Sequence, residues 1–489
     1  MTHSRPLAAV VLAAGEGTRM KSSVPKVLHP LCGRPMLLYV IGALEELDLQ
    51  RIVVVVGHAS ERVIKTLHSE TDVPLEFVEQ RVQRGTGDAV SVGLTVFPDD
   101  LDEEDDLIVV PGDTPLLRAE TLADLARAHD ESGAAATVLT ARLPDPTGYG
   151  RIVRGKDGRV EAIVDHWDAT EEERAIDEVN TSIYCFRRGL LAPALRRLSP
   201  ENAQGEYYLT DAIAVLRQAG HKVIAMESPE VAEAMGVNDQ VQLAEAEQAL
   251  RARINSHWMR EGVRMTDPLR TYIDATVSLG PDVELLPGVV LEGTTSVGAG
   301  TVLGPDTRLV DTTVGQGATV TYTVATDSEI GDGVTVGPFT HLRPGTRLGE
   351  ASKAGSFVEI KSSTVGAGAK VPHLAYVGDA EVGEGANIGA GTITANYDGR
   401  AKHRTRVGAR AHIGSNTVLV APVEVGEGAY TGAGAVVTGD VPAGALAKGV
   451  PARVEEGWAK ARAEQAETET GTETEAGESP KADGAETSG

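Results

Sequence analysis

The residues best suited to chemistry in the first half of the chain follow its first apolar run. Gly15, Gly17 and Arg19 lie in the string Leu-Ala-Ala-Gly-Glu-Gly-Thr-Arg-Met, and Lys26 follows six residues after it. A glycine-rich loop at the carboxyl end of a buried strand lets backbone N–H groups approach a phosphate chain. The two cations can neutralise charge that develops on phosphates during group transfer. A short Gly-x-Gly taken alone also fits a tight turn, so the prediction of a phosphate site depends on the longer string.

A carboxylate stands at the end of another predicted strand. Asp113 follows Gly112 directly after the apolar run at residues 107–110. Carboxylate oxygens are preferred ligands of Mg²⁺, so this position predicts a magnesium site. An exposed loop carboxylate is the alternative explanation.

The second half of the chain carries polar strings that interrupt a six-residue repeat. Arg343 and Lys361 place two cations within it, His373 and Tyr376 stand three residues apart, and the period lapses between positions 394 and 407. Polar residues on a loop excluded from a repeat indicate a binding element. A histidine suits a general base because its pKa lies near neutrality. A lone histidine on such a surface is otherwise a solvated or stacking residue.

The repeat is the strongest structural signal in the sequence. Aliphatic residues recur every six positions over residues 277–437, as at Ile330, Val336, Leu342 and Leu348. This period fits neither an α-helix nor an alternating strand. It predicts a solenoid of short strands and tight turns, in which each repeat buries its aliphatic residue against the next. The alternative, a Gly-rich disordered stretch, is disfavoured by the length of the aliphatic register.

Residues 7–237 alternate strand-like and helix-like segments, which predicts a mostly parallel, buried sheet with helices on both faces. The predicted strands are Ala8–Ala13, Ile52–Val56, Leu107–Val110, Ala136–Thr140 and Thr181–Phe186. The predicted helices are Met36–Leu47, Asp88–Val96, Thr121–His129 and Thr210–Ala219. Residues 239–262 are expected to form one further helix that joins the two halves, with apolar residues near one face.

Composition limits the partners and the compartment. The chain has 489 residues and a formal net charge of −26, which argues against a nucleic-acid partner. Cys32 and Cys185 cannot form a disulfide framework and lie in no metal-ligand spacing. No signal peptide and no bilayer-spanning apolar run are recognisable, so a cytoplasmic protein without a membrane partner is expected. Beyond Trp458 the chain is rich in Glu, Thr, Gly and Ala, which predicts disorder.

The phosphate-loop string resembles the signature of sugar-1-phosphate nucleotidyltransferases. Further strings resemble other segments of that family. Gln-Arg-Gly-Thr-Gly at 83–87 is similar to its base- and sugar-binding loop, and Gly-Val-Asn at 236–238 to its second magnesium ligand. Asp-Pro-Thr-Gly-Tyr-Gly-Arg at 145–151 and Val-Asn-Thr at 179–181 are similar to its sugar-binding segments.

To about residue 458 the chain resembles the bifunctional N-acetylglucosamine-1-phosphate uridylyltransferase/glucosamine-1-phosphate N-acetyltransferases, which make UDP-N-acetylglucosamine for bacterial peptidoglycan. The resemblance implies an α/β, Rossmann-like nucleotidyltransferase domain at 1–238, a linker helix at 239–262 and a left-handed parallel β-helix of hexapeptide repeats at 263–458. A disordered acidic tail at 459–489 would follow, and the assembly would be a homotrimer. The implied cofactor is Mg²⁺. The implied substrates are UTP, N-acetylglucosamine 1-phosphate, acetyl-CoA and glucosamine 1-phosphate.

The resemblance assigns roles to residues of the N-terminal half. Leu12, Ala13, Ala14, Gly15 and Gln80 would hold uracil and ribose, Gly85 and Thr86 the nucleotide, Arg19 and Lys26 the phosphates, Asp113 and Asn238 the Mg²⁺, and Gly150, Asp165 and Asn180 the sugar. Asp165 stands where the family usually has Glu, so its carboxylate is one methylene shorter. In the implied reaction the sugar 1-phosphate oxygen attacks the α-phosphorus of UTP and releases pyrophosphate, without a covalent intermediate.

The resemblance also assigns roles within the solenoid. Arg343 and Lys361 would bind glucosamine 1-phosphate with the help of Tyr376 and Asn387, His373 would be the general base, Asn396 and Tyr397 would orient the substrate, and Ala390, Ser415 and Ala433 would contact acetyl-CoA. Lys448 stands near the place where the family often has an arginine that meets the CoA phosphates. As a lysine it would act as a point charge and not as a bidentate fork.

Two other functions fit parts of the sequence. A hexose-1-phosphate nucleotidyltransferase with a structural or regulatory β-helix would keep only the N-terminal chemistry, and the strings around His373 and Asn396 count against it. A non-catalytic trimeric scaffold or sugar-nucleotide sensor would need no catalytic groups, and the complete set of phosphate- and metal-binding residues counts against that.

Overall fold

The structure of the protein, a computed structural model, describes residues 5–97 and 105–462. It divides into two compact units, Met1–Arg251 and Ala252–Gly489. Residues 458–462 are helical, and the rest of the predicted acidic tail lies outside the described residues. The boundaries 1–238, 239–262 and 263–458 stay predictions.

The first unit contains a mixed sheet surrounded by helices. Its described strands are Leu7–Ala13 (β1), Pro30–Leu31 (β2), Arg34–Pro35 (β3), Arg51–Val56 (β4), Glu76–Glu79 (β5), Asp106–Pro111 (β6), Ala136–Arg142 (β7), Arg151–Arg154 (β8), Val160–Val164 (β9), Glu178–Arg187 (β10) and Val223–Glu227 (β11). Its described helices are Met36–Glu45 (α1), Ser60–Glu70 (α2), Thr86–Leu94 (α3), Ala119–Ser132 (α4), Glu171–Arg174 (α5), Arg188–Leu195 (α6) and Asp211–Gln218 (α7).

The main sheet has the order β11-β7-β10-β6-β1-β4-β5. Strand β1 is parallel to β4 and β6, whereas β10 is antiparallel to β6 and β7. The hairpin β8–β9 is attached to β10. Because the carboxyl ends of β1, β4 and β6 meet at one edge, the loops after them are brought together there.

Alternate residues of β1 enter two separate hydrophobic cores. Ala9 and Val11 pack with α1, α2 and α4 on one face, and Ala8 and Val10 pack with α3, α6 and α7 on the other. Strand β1, which is apolar at every position, is therefore buried on both faces. This arrangement confirms the predicted buried sheet with helices on both faces.

The hairpin β8–β9 and the strands β5 and β11 were not predicted from the sequence. Each of these strands is four or five residues long, and β8 has only two apolar residues between arginines. Such short runs give no clear alternation, so their pairing with the long strands decides their structure.

The predicted connecting helix is observed as Gln240–Arg260 (α8). Within the second unit its residues Ile254 and Trp258 pack against the solenoid core. Asn255 is buried and donates to the carbonyl oxygens of Pro268, at 2.8 Å, and Thr271, at 3.0 Å. These bonds tie the end of the helix to the first coil. Within the described residues, every helix is too short or too polar to cross a membrane.

The second unit is a parallel β-helix whose described coils form three sheets of short strands. Sheet 1 comprises Arg264–Met265, Glu284–Leu285, Val302–Leu303, Thr319–Val320, Thr335–Val336, Lys353–Ser356, Lys370–His373, Asn387–Ile388, His412–Ile413, Tyr430–Thr431, Leu446–Gly449 and Ala452–Glu455. Sheet 2 comprises Tyr272–Ile273, Val290–Glu292, Arg308–Val310, Thr323–Thr326, Thr340–Leu342, Glu359–Lys361, Tyr376–Gly378, Ile393–Ala395, Val418–Val420 and Val436–Val437. Sheet 3 comprises Ser278–Leu279, Ser296–Val297, Thr313–Val314, Ser328–Ile330, Thr346–Leu348, Thr364–Val365, Ala380–Val382, Thr405–Val407 and Val423–Val425.

The hexad aliphatic residues form one continuous core along the solenoid. Leu342 pairs in register with Ile360, and Ile360 pairs with Val377. All three side chains are almost completely buried. The core extends from Val263 to Ala447, beyond both ends of the predicted tract. The prediction that each repeat buries its aliphatic residue against the next is confirmed.

One coil carries a long excursion that leaves the register unchanged. Val365 pairs with Val382 on the next coil, and Val382 pairs with Val407 after residues 396–404 have left the coil. We call residues 396–404 the insert loop. It lies where the sequence predicted that the period lapses, between strand Ile393–Ala395 and strand Thr405–Val407.

Large apolar residues are exposed along the corner that joins sheet 1 to sheet 2. Tyr322, Phe339, Phe357 and Leu374 occupy this corner on successive coils, each with a positive φ and each at least 40% exposed. The rings of Phe339 and Phe357 are stacked with their centroids 5.2 Å apart. We call these four residues the corner stack.

Candidate active sites

The phosphate loop follows β1 and depends on a glycine. Gly17 has a φ of +64°, and a Cβ at this position would lie 2.6 Å from the Cβ of Lys26. Glycine therefore permits both the left-handed turn and the close approach of Lys26. Thr18–Met20 then forms a single 3₁₀ turn that contains Arg19.

Four predicted residues from distant parts of the sequence meet beside this loop. The Arg19 guanidinium donates to Asn238 Oδ1 at 2.8 Å, and Lys26 Nζ donates to the same oxygen at 3.2 Å. Lys26 also forms an ion pair with Asp113 Oδ2. Asp113 and Asn238 thus present a carboxylate and an amide oxygen to one cation.

Backbone hydrogen bonds bring these residues together. The N–H of Gly112 donates to the carbonyl of Leu12 at 2.9 Å, which joins the ends of β6 and β1. The N–H of Val237 donates to the carbonyl of Asp113 at 2.8 Å. The segment before α8 is therefore fixed against the end of β6, and Asn238 reaches the loop from there.

A cleft of about 710 Å³ has a lining that includes Glu16, Gly57 and Gln80. Of the residues predicted to hold uracil and ribose, Gln80 lines this cleft, and Leu12, Ala13, Ala14 and Gly15 do not. The Gln80 amide nitrogen donates to the carbonyl of Gly85 at 3.2 Å and to Asp88 Oδ2 at 2.8 Å. These bonds orient the Gln80 side chain through a carboxylate that the sequence did not single out. Asp88 stands in the first turn of α3.

The loop of Gln80 is fixed to its neighbours as well. Gln83 Nε2 donates to the carbonyl of Ala14 at 2.5 Å. Thr86 Oγ1 accepts from the N–H of Leu209 at 3.1 Å. This bond uses one acceptor position of the hydroxyl that is predicted to contact the nucleotide.

Of the predicted sugar-binding residues, Asn180 lies on β10, Gly150 directly precedes β8 and Asp165 directly follows β9. The N–H of Asn180 donates to the carbonyl of Gly150 at 2.8 Å, and the Asn180 amide donates to Tyr184 Oη at 2.8 Å. Asp165 Oδ1 accepts from the N–H of Trp167 at 3.0 Å. The shorter carboxylate of Asp165 is therefore engaged with its own loop.

Tyr149, in the predicted sugar-binding segment, lies near enough to Asp113 to be affected by its charge, although sequence reasoning assigned no separate role to this tyrosine. Its hydroxyl oxygen is buried without a hydrogen-bond partner among the described residues. Burial raises the pKa of Tyr149, and the nearby negative charge of Asp113 raises it further. The hydroxyl therefore stays protonated and can donate to a ligand. Its position inside the Gly-Tyr-Gly string was the available signal.

The second site is built at one corner of the solenoid. Strand Lys370–His373 of sheet 1 ends at His373, the chain turns at Leu374, and strand Tyr376–Gly378 of sheet 2 begins. His373 is paired in register with Ser356, and Tyr376 with Glu359. His373 and Tyr376 thus flank the same corner.

The predicted cations lie on adjacent coils of sheet 2. Arg343 follows strand Thr340–Leu342 and donates to Glu359 Oε1 at 2.8 Å. Lys361 ends the next strand and is in register with Gly378 on the coil after that. A Cβ on Gly378 would lie 2.5 Å from Tyr376 Oη and 2.8 Å from Asn396 Nδ2. A glycine there leaves room for both side chains.

The insert loop adds a third cation that sequence reasoning missed. Lys402 forms a bridge with Tyr397 across the loop, and its side chain lies close enough to Lys361 to lower the pKa of Lys361, which partial burial also lowers. Asn396 donates to Asp379 Oδ2 at 2.5 Å, while Tyr397 is 61% exposed. Lys402 stands outside the hexad register, so periodicity gave no signal for it.

Asn387 lies apart from this cation cluster. It is on sheet 1, in register between Lys370 and His412. The structure therefore places it on the strand adjacent to that of His373 and not on the sheet that carries Arg343 and Lys361.

The residues predicted to contact acetyl-CoA form a column after the strands of sheet 1. The N–H of Asn416 donates to the carbonyl of Ala390 at 2.7 Å, and the N–H of Gly434 donates to that of Ser415 at 2.8 Å. Ala433 lies on the coil that follows the coil of Ser415. A Cβ added to Gly414, the residue before Ser415, would lie 2.7 Å from the backbone nitrogen of Ala433.

Lys448 continues this column on the last coil. A Cβ on Gly432 would lie 3.2 Å from that of Lys448. Lys448 forms an ion pair with Glu455 and is opposite Arg453 in the terminal hairpin. The column is therefore a row of small residues that ends at a cation. We call the row of Ala390, Ser415 and Ala433 the ledge.

Comparison with known proteins agrees with both halves of this architecture. Residues 9–223 match the family described as MobA-like NTP transferase domain, and residues 404–439 match the bacterial transferase hexapeptide family of six repeats. The fold and the two sites thus define a nucleotidyltransferase joined to a hexapeptide-repeat transferase.

Three relatives that resemble nearly the whole chain are each named bifunctional protein GlmU. The protein of Thermobifida fusca is 52% identical over 460 residues, 94% of this chain and 95% of the relative. That of Streptomyces coelicolor is 50% identical with the same coverage. That of Shouchella clausii is 47% identical over 90% of this chain and 95% of the relative. The chain belongs to the bifunctional GlmU family, which confirms the predicted fold class and an enzyme with nucleotidyltransferase and acetyltransferase activities.

Proposed function

We propose that the first unit transfers uridylyl from UTP to N-acetylglucosamine 1-phosphate, and that the second unit acetylates glucosamine 1-phosphate from acetyl-CoA. The observation that carries the first assignment is the meeting of Arg19, Lys26, Asp113 and Asn238 at the phosphate loop. The cluster of Arg343, Lys361 and Lys402 on sheet 2 and the insert loop supports the second, together with His373 and Tyr376 at the corner of sheets 1 and 2. The product of the second unit would then be a substrate of the first.

In uridylyl transfer, residues of the first unit bind and align the two reacting groups, the 1-phosphate of the sugar and the α-phosphate of UTP. The sugar 1-phosphate oxygen attacks the α-phosphorus of UTP, and the bond to the leaving pyrophosphate breaks. Arg19 and Lys26 stabilise negative charge that develops on the phosphates. Alignment of the reactants supplies much of the rate because no covalent enzyme intermediate is needed.

The residues at this site fit Mg²⁺. Asp113 and Asn238 offer a carboxylate and an amide oxygen, which are ligands that this ion accepts, and Lys26 Nζ already occupies a cation position between them. Within residues 5–97 and 105–462, no group of three His, Cys, Asp or Glu side chains could hold a metal. Phosphate oxygens and water would therefore complete the shell. The ion would neutralise phosphate charge when bound.

In acetyl transfer, we assign the proton step to His373. The sugar amine attacks the thioester carbon of acetyl-CoA, the C–N bond forms and the C–S bond breaks. His373 takes the proton from the amine and returns it to the CoA thiolate. Arg343, Lys361 and Lys402 bind the sugar phosphate, and the ledge of Ala390, Ser415 and Ala433 accepts the CoA chain.

The alternative, a hexose-1-phosphate nucleotidyltransferase with a structural β-helix, explains less of the molecule. A structural solenoid needs no insert loop and no cluster of like-charged side chains. The cluster of Lys361 and Lys402 is two like charges held together, an arrangement that suits an anionic ligand.

The proposal includes a homotrimer in the cytoplasm, where UTP and acetyl-CoA are available. The corner stack supports an assembly, because contiguous exposed apolar residues mark interaction surfaces and this stack ends at Leu374, next to His373. Cys32 and Cys185 are buried and are not joined in a disulfide, as expected in a reducing compartment.

The proposed function predicts a complete two-step synthesis by the purified protein. Incubation with glucosamine 1-phosphate, acetyl-CoA, UTP and Mg²⁺ should yield CoA, pyrophosphate and UDP-N-acetylglucosamine. Mass spectrometry of the sugar nucleotide provides the measurement. Omission of acetyl-CoA should stop its formation, and supply of N-acetylglucosamine 1-phosphate should restore it. Pyrophosphate release without CoA release in the full mixture would favour the alternative function.

Lys361 should give acetyl transfer an alkaline limit. Because Lys402 and partial burial lower the pKa of Lys361, this ammonium loses its proton at a lower pH than an ordinary lysine. The KM for glucosamine 1-phosphate should therefore rise on the alkaline side, while the KM for acetyl-CoA should change little. Lys361→Arg should remove that inflection, since arginine stays charged. The same inflection in the arginine variant would assign it to another group.

A further inference from the structure

The insert loop is held in shape by one of its own carboxylates. Asp398 Oδ1 accepts from the N–H groups of Arg400 at 2.8 Å and Ala401 at 2.7 Å. The N–H of Asp398 donates to the carbonyl of Ala401 at 3.2 Å. The pKa of Asp398 is lowered, first by the Ala401 N–H and then by His403 and the Arg400 N–H. The carboxylate thus stays ionised and organises the tip of the loop.

His403 closes the loop from its other strand. Its ring Nε2 donates to Asp398 Oδ2 at 2.7 Å, and its N–H donates to the carbonyl of Asn396 at 2.8 Å. The bridge between Tyr397 and Lys402 lies between these two bonds. Asp398 and His403 therefore join the outgoing and returning strands on either side of Lys402.

The position of Lys402 needs such a restraint. Lys402 lies against Lys361, with Arg343 also near enough to lower the pKa of Lys361, and like charges at close range repel each other. Asp379 is the nearby carboxylate whose charge opposes that effect. A mobile loop would separate the two lysines and would have to be ordered again when a ligand binds, which lowers affinity.

We propose that Asp398 and His403 are a positioning pair that holds Lys402 beside Lys361, so that the phosphate of the amino sugar meets a preformed cation cluster. This inference rests on the proposed acetyltransferase function. Among the residues that the structure describes, the pair bonds only to atoms of the insert loop, and the side chains of His403 and Asp398 are 34% and 49% exposed. Its loss should therefore weaken binding of the sugar phosphate and leave the acetyl-transfer step almost unchanged.

The test compares His403→Phe with His403→Gln in the full-length protein. Phenylalanine removes the ring donor, whereas glutamine keeps a donor that can reach Asp398. We expect His403→Phe to raise the KM for glucosamine 1-phosphate by about tenfold, as for the loss of one hydrogen bond to a charged group. The kcat and the KM for acetyl-CoA should stay within about twofold of the wild type, and His403→Gln should recover most of the loss.

Two further variants make the assignment specific. In His403→Phe combined with Asp398→Ala, the KM effects should be less than additive, because both changes remove the same bond. Arg400→Ala is the matched control, because only its backbone N–H takes part in the loop. It should leave the KM unchanged.

The outcomes separate this inference from the proposed function. A wild-type protein without acetyl transfer would overturn the proposed function itself. With an active wild type, an unchanged KM in His403→Phe would overturn the positioning pair, and so would a fall in kcat alone. An equal rise in the KM values for both substrates would indicate general damage and would also contradict it.

Discussion

Replacing His373 by alanine is expected to reduce the kcat of acetyl transfer by roughly 10²- to 10⁴-fold, the range that a positioned general base contributes. His373 ends its strand at the corner beside Tyr376, with its side chain exposed to solvent. Because the residue is exposed and its neighbours on the coil are unaffected, the fold should persist. CoA release from acetyl-CoA and glucosamine 1-phosphate provides the measurement.

Two observations test whether the loss reflects proton transfer. The deficit of His373→Ala should become smaller as pH rises, because more of the sugar amine is then deprotonated without help from the enzyme. Pyrophosphate release from UTP and N-acetylglucosamine 1-phosphate should be unchanged and serves as the internal control. Parallel loss of both reactions would mean that the two sites are not separate.

Asp113→Asn is expected to give the converse pattern. Loss of the carboxylate should lower metal-dependent pyrophosphate release by about 10³-fold, equivalent to the several kcal/mol of charge stabilisation that a bound metal supplies. Lys26 would also lose its ion-pair partner. CoA release by the second unit should continue at the wild-type rate. The measurement is the rate of pyrophosphate release over a range of Mg²⁺ concentrations.

A matched variant separates this effect from a general loss of charge. Asp72→Asn makes the same chemical change on an exposed residue just after α2 and should leave both reactions intact. If Asp113→Asn kept full activity at every Mg²⁺ concentration, its assignment to the metal would be refuted. A loss that high Mg²⁺ partly restores would support it.

The solenoid was predictable because its determinants are local and repeated. Leu342 and Ile360 are buried on successive coils three periods apart, as the six-residue repeat requires. The period also located the insert loop, because its absence between 394 and 407 is visible in the sequence. The phosphate loop was predictable for a related reason. Glycine adopts a left-handed turn more readily than other residues, and Gly17 forms such a turn in the loop.

Other features depend on contacts between distant residues. Asp88 orients Gln80, and Lys402 lies against Lys361. Neither Asp88 nor Lys402 stands in a periodic pattern of the sequence. The burial of Tyr149 next to Asp113 depends on how β8 reaches β10. Such arrangements follow from tertiary packing, which no local pattern specifies.

The insert loop also has a consequence for how such enzymes diversify. Val382 pairs with Val407 and Val407 with Val425, so the coil continues as if residues 396–404 were absent. Excursions from a corner can therefore lengthen, shorten or change sequence while the scaffold is inherited intact. Under the proposed function, substrate recognition and the stability of the scaffold would then change independently in this unit, and a designer could graft a new recognition loop at the corner between sheets 2 and 3.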